Sequence, residues 1–121
     1  MLLDSNIIIY ASQPEYGTLR DFIAEHVPAV SAVSYVEVLG YHKLSQKERS
    51  LFQEFFDTVT VLPLEQEVLD EAVALRQQRK MSLGDALVAA TANVHRLSLV
   101  THDVSDFAWI DGLIIIDPLQ I

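Results

Sequence analysis

Four acidic residues stand where a carboxylate calls for an explanation: Asp4, Glu37, Asp85 and Asp103. Asp4 interrupts the apolar run Met1 to Ile9, where an unpaired charge is costly to bury. A cap, a partner or a metal must compensate it, and Asp4-Ser5-Asn6 is also good turn and helix-start chemistry. Asp103 follows the apolar run Leu97 to Thr101. Glu37 and Asp85 each stand three residues after a serine, Ser34 and Ser82, at the spacing of a capping box or a close variant of one. Capping alone accounts for either. Capping and ligation are also compatible, because a cap fixes where the carboxylate points. A helix N-terminus favours an ionised carboxylate but repels a cation, so one such group holds a metal poorly. Several together outweigh the roughly half charge of a helix end. Carboxylates without cysteine or clustered histidine are hard oxygen donors, suited to Mg²⁺ or Mn²⁺ rather than zinc.

The elements that must position these groups alternate. Met1 to Ile9 begins as a buried strand, with a short helix within Ser5 to Ser12. Glu15 to His26 reads as a helix with Leu19, Phe22 and Ile23 on one face, stopped by Pro28 before a short strand Ala29 to Ser31. Ser34 opens a helix to about His42, and Ser45-Gln46-Lys47-Glu48 opens another to about Asp57. Thr58 to Leu62 is a strand, Leu64 to Met81 and Leu83 to His95 are helices, and Leu97 to Thr101 and Leu113 to Ile116 are strands. Such alternation predicts an α/β fold, with a central mostly parallel sheet of four or five strands. Ligands of open parallel sheets bind beyond the carboxyl ends of the strands. Asp4 and Asp103 lie at such ends, and Glu37 and Asp85 lie in helices next to others, so all four are expected on one edge.

Composition narrows the classes. The 121 residues suit one domain, 1–121, and half are hydrophobic, enough for a core without staples. The two ends read as strands, which predicts a complete domain. There is no cysteine, hence no disulfide, thiolate site or cysteine nucleophile. No basic region precedes the first apolar run, and the apolar stretches are short, so no membrane span is expected and the location is expected to be cytoplasmic. The net charge of -9 lacks the basic footprint of simple nucleic-acid binding and suits a basic protein partner or cations at the site. No Gly-rich phosphate loop supports a small-substrate phosphohydrolase.

Four passages resemble the PIN-domain family, and in particular the VapC-type toxins of VapBC pairs. They are Leu2-Leu3-Asp4-Ser5-Asn6, Ser31 through Gly40 around Glu37, Gly84-Asp85 through Ala92, and Leu99-Val100-Thr101-His102-Asp103 through Phe107. The match runs in order along nearly the whole chain. Ser5 stands where the family usually has threonine, and His102 where arginine or asparagine is common. The resemblance implies a PIN-like three-layer α/β/α sandwich. It also implies an Mg²⁺-dependent endoribonuclease that leaves a 5′-phosphate and a 3′-hydroxyl, a homodimer, and a cognate antitoxin covering the acidic site.

On that reading Asp4 and Asp85 are the main metal ligands, and Asp103 and Glu37 complete the set. Ser5, Asn6 and Thr101 orient carboxylates or waters. Arg76, Arg79 and Lys80 form the densest basic cluster and are candidate phosphate contacts, the alternative being a solvated helix face. His102 is a candidate substrate contact or an exposed loop histidine. Asp106 is read as a turn or cap residue, His95 as a helix-end charge, and the Phe52, Phe55, Phe56 stripe as core or dimer surface. The rival function is a non-catalytic PIN module that binds RNA or serves as a scaffold. Loss of a carboxylate would have favoured it, and none is lost.

Overall fold

The computed structural model describes residues 1–120, so Ile121 of the expected domain lies outside the described residues. The elements run β1 (Leu2–Leu3), α1 (Ser5–Ala11), α2 (Gly17–His26), β2 (Ala29–Ser31), α3 (Ala32–Leu39), α4 (Gln46–Thr58), β3 (Val61–Leu62), α5 (Gln66–Gln78), α6 (Leu83–His95), β4 (Leu99–Val100), α7 (Val104–Phe107) and β5 (Ile115–Ile116). All five strands are parallel, in the order β3-β2-β1-β4-β5. The chain steps outward from β1 to β3, then returns to the other side of β1 to lay down β4 and β5. The sheet therefore reverses its winding between β1 and β4, where α/β sheets open a crevice at the strand ends.

The strands alternate their side chains between two cores. Leu2 and Leu99 join Val68, Leu75, Val88 and Phe107 under α5, α6 and α7. Leu3, Val30 and Val100 join Ile7, Leu19, Val38, Phe52 and Phe56 under α1 to α4. Neighbouring strand residues thus bury against opposite layers, as the period of two requires. Helices on both faces make the three-layer α/β/α sandwich.

Most expected elements are present; β2 has the expected bounds and the other strands are shorter. The apolar residues Ile7 to Ile9 continue the first run but belong to α1, because Asp4 ends the strand and its side chain accepts the Ser5 N–H. Helix α6 has the expected span, and α4 opens with the complete Ser45–Glu48 capping box. One expected cap is wrong. Helix α3 starts at Ser31, whose hydroxyl accepts the Val33 N–H at 3.3 Å, so Ser34 lies inside the helix and makes no capping box with Glu37. The strand β2 runs straight into α3, and the earlier serine captures the free N–H groups first. The short helix α7 was not expected.

Candidate active site

Asp4 sits at the carboxyl end of the central strand and is 4% exposed. Its backbone N–H still joins the sheet, donating to the Val100 carbonyl at 2.9 Å. Its carboxylate accepts from the Ser5 N–H and from the Thr101 hydroxyl, both at 2.8 Å. Thr101 follows β4, so this bond spans the winding reversal. The Thr101 oxygen also accepts the Asp103 N–H at 3.0 Å, which fixes the turn that carries Asp103. Asn6, in the first turn of α1, donates to the Asp103 carboxylate at 2.8 Å.

Glu37, on α3, reaches the same edge. Its carboxylate accepts from the Ser5 hydroxyl at 2.8 Å. Asp85 stands in the first turn of α6, its N–H capped by the Ser82 hydroxyl at 3.1 Å. That cap was expected. All three residues expected to orient carboxylates, Ser5, Asn6 and Thr101, hydrogen-bond to one.

The charges interact. Burial pushes the Asp4 carboxyl up to about 6, with Asp85 and Asp103 adding to the rise and the Thr101 and Ser5 donors opposing it. Asp85 is also raised, first by burial, then by the charges of Asp106, Glu37 and Asp103, against the Ser82 hydroxyl. The carboxylates of Asp4, Glu37, Asp85 and Asp103 are therefore drawn into one electrostatic neighbourhood. Asp106 belongs to it as well. Its backbone N–H bonds to the Asp103 carbonyl, as the turn-or-cap reading expects, while its carboxylate adds to the charge that raises Asp85. The sequence signal was its place three residues after Asp103, one helical turn along the same edge.

Among the described residues no lysine or arginine forms an ion pair with any of these five carboxylates. The negative charge is left to be met from outside the chain. The donor set is all oxygen, as a hard cation prefers. Among the described residues no three of the His, Asp or Glu groups come close enough to enclose an ion directly.

The other candidates lie around this edge. His102 is half-buried rather than an exposed loop residue. Its Nδ1 lies 3.0 Å from the Asp117 carboxylate, and Tyr10 meets its ring edge-on. Arg76, Arg79 and Lys80 are exposed at the end of α5. Arg76 donates to the Met81 carbonyl, and the Arg79 guanidinium lies 5.6 Å from the centre of the Trp109 ring. Trp109 in turn donates to the Asp106 carbonyl, which ties this basic cluster to the rim of the acidic edge. His95 ends α6 as expected, with its Nε2 buried and unpartnered. Phe52 and Phe56 are core, while Leu51 is exposed beside them.

No curated protein sequence matches the chain. Solved structures do. A toxin–antitoxin complex from Klebsiella pneumoniae contains a chain 30% identical, with a TM-score of 0.79 over 97% of this chain and 96% of that one. The DNA-bound VapBC of Salmonella typhimurium aligns with a TM-score of 0.85 at 18% identity, covering 97% and 96%. VapBC2 of Rickettsia felis, bound to a promoter DNA fragment, aligns with a TM-score of 0.84 at 19% identity, covering 95% and 96%. These last two speak for the fold. The family described as PIN domain matches residues 1–113, nearly the whole chain. With that match, a sheet that reverses its winding at Asp4, and carboxylates gathered on the edge beyond it, the chain belongs to the PIN-domain family.

Proposed function

We propose that this protein is a VapC-type toxin: an endoribonuclease dependent on Mg²⁺, or Mn²⁺ in its place, and held in check by a cognate antitoxin. The observation that carries the reading is Asp4. A carboxylate is buried at the winding reversal, beside Asp85 and Asp103, with no lysine or arginine among the described residues paired to it. That arrangement is unfavourable for folding and is explained by a divalent cation in the working enzyme.

Asp4 and Asp85 would hold the cation, with Asp103 and Glu37 completing the set directly or through water. When bound, it supplies charge neutralisation and a more acidic water. The chain's own residues supply position. Thr101 and the Ser5 N–H hold Asp4, Asn6 holds Asp103, and Ser5 holds Glu37. The reaction is hydrolysis of an RNA phosphodiester. Water oxygen bonds to phosphorus, the bond to the 3′ oxygen breaks, and a proton passes to the leaving oxygen. The products are a 5′-phosphate and a 3′-hydroxyl. On this reading the basic cluster Arg76, Arg79 and Lys80 would meet flanking phosphates.

The antitoxin reading rests on two further features. The net charge of -9 suits a basic partner, and an arginine from it would answer the unpaired carboxylates. A groove of about 710 Å³ between α1, α2 and α4, lined by Ile8, Ile23, Val27, Leu51, Phe52 and Phe55, suits the apolar face of a partner helix. A homodimer completes the proposed assembly. No helix among the described residues is long and apolar enough to cross a membrane, and the proposed site of action is the cytoplasm.

The test is to purify the chain free of antitoxin and incubate it with pooled cellular RNA and Mg²⁺, beside Asp4→Asn and Asp85→Asn. Cleavage by the wild type alone supports the reading. Identical behaviour of all three overturns it, and RNA bound but never cut favours the non-catalytic module.

A further inference from the structure

Glu37 is exposed and projects from the middle of α3, where a long side chain ordinarily samples several rotamers. Two features restrict it. The Ser5 hydroxyl lies 2.8 Å from both Glu37 Oε1 and the hydroxyl of Ser34, which is fully buried. A serine hydroxyl has one proton, and the carboxylate only accepts, so Ser5 donates to Glu37 and Ser34 must donate to Ser5. On its other side the Glu37 carboxylate rests against Gly84, in the first turn of α6. A Cβ at position 84 would lie 3.0 Å from Glu37 Cδ and would overlap Oε2. Gly84 shows no positive φ, so backbone strain does not call for glycine there.

We propose that Gly84 and Ser34 are positioning residues for Glu37. Gly84 leaves the space that lets the carboxylate lie against α6 beside Asp85. Ser34 orders the Ser5 hydroxyl that holds it there. Without either, the charge nearest Asp85 from α3 swings into solvent and the acidic edge loses one of its members. The inference deepens the ribonuclease reading and rests on it for its kinetic consequence, but its geometric content stands alone.

The test is Gly84→Ala in the full chain, with Ser34→Ala beside it. The atoms in the way of a new Cβ are the far end of a flexible, exposed side chain, and alanine is the better helix former. Gly84→Ala is therefore expected to melt at or above the wild-type Tm. Its crystal structure is expected to have lost the Ser5–Glu37 hydrogen bond. With single-stranded RNA and Mg²⁺, kcat is expected to fall on the order of 10²-fold, as for a misplaced catalytic group. Added to Glu37→Ala, the same substitution is expected to cost nothing more. Ser34→Ala is expected to lower kcat in the same direction with KM unchanged. A Gly84→Ala crystal that keeps the Ser5–Glu37 bond, or a wild-type kcat in that variant, overturns the inference. If the wild type itself leaves RNA intact, the ribonuclease reading fails, and the crystal comparison alone decides this one.

Discussion

The Thr101 hydroxyl donates to the Asp4 carboxylate at 2.8 Å, joining residues 97 apart in the chain across the ends of two adjacent parallel strands. Both side chains are buried, and the same Thr101 oxygen accepts the Asp103 N–H. One hydroxyl thus sets the position of two carboxylates. Thr101→Val keeps the shape and removes the bond. It is expected to destabilise the fold by roughly 1–3 kcal/mol, since a buried acceptor and a partly buried N–H each lose a partner. Because the Thr101 donor holds the Asp4 carboxyl down, its loss moves the rising limb of any pH–activity profile upward. Urea melts and a pH profile check both, and a profile left in place sinks the assignment.

Asp4→Asn is expected to trade stability for activity. The folded Asp4 carboxyl is raised from 3.8 to about 6, so between those pH values the folded state holds a proton that the unfolded state has lost. Stability then falls as pH rises through that window. In EDTA the variant and wild type should be similar near pH 4, where the folded Asp4 carboxyl is still protonated and the unfolded one is only beginning to ionise. Above pH 6 the asparagine form should be more stable, by roughly 2–3 kcal/mol at most. A wild type that is the more stable at pH 7.5 without metal contradicts the account.

Divalent cations are expected to reverse that penalty. Mg²⁺ should raise the Tm of the wild type, by an amount that grows with the logarithm of concentration above Kd. It should do so more strongly at pH 7.5 than at pH 5, because the ligands must be ionised. Thermal melts with Mg²⁺ and Mn²⁺ test this without reference to activity. The rise should disappear in Asp4→Asn and shrink in Asp85→Asn. An equal rise in all three proteins would place the ion elsewhere.

Ser31 and Ser34 separate a structural serine from a positioning one. Ser31 caps α3, and its hydroxyl lies 3.0 Å from that of Thr91 on α6, both fully buried. Ser31→Ala is expected to cost about 1–2 kcal/mol, as for lost N-caps. Ser34→Ala leaves the helix start intact and should cost less. Paired denaturant melts check the order, and a larger loss at Ser34 would restore it as the helix start.

Much of this molecule is written locally. The helix α6 could be delimited from sequence because Ser82 caps it and its apolar run is continuous, whereas the left-handed turn of Arg96 that ends it appears only in the structure. The Ser45–Glu48 box is equally local. These signals act within one turn of a helix, so neighbouring residues suffice to specify them. Apart from β2, strand ends carried no such mark. In a sheet covered on both faces, apolar runs extend past the ladder, and only pairing shows that β4 is confined to Leu99 and Val100.

The carboxylates divide in the same way. Asp4 and Asp103 were conspicuous as charges against apolar strands, and the types of Ser5, Asn6 and Thr101 announced donors. Their pairing was not legible. Ser34 matched a cap by spacing, yet β2 feeds α3 three residues earlier and turns that serine toward Ser5. Asp106 matched a turn, yet α7 sets its charge beside Asp85. The sequence by itself determined the alternation of elements, the two apolar faces and the supply of acids. The tertiary structure decided which acids share a field, because that depends on strand order. Only the return of the chain across β1 brings residues 4 and 101 into contact.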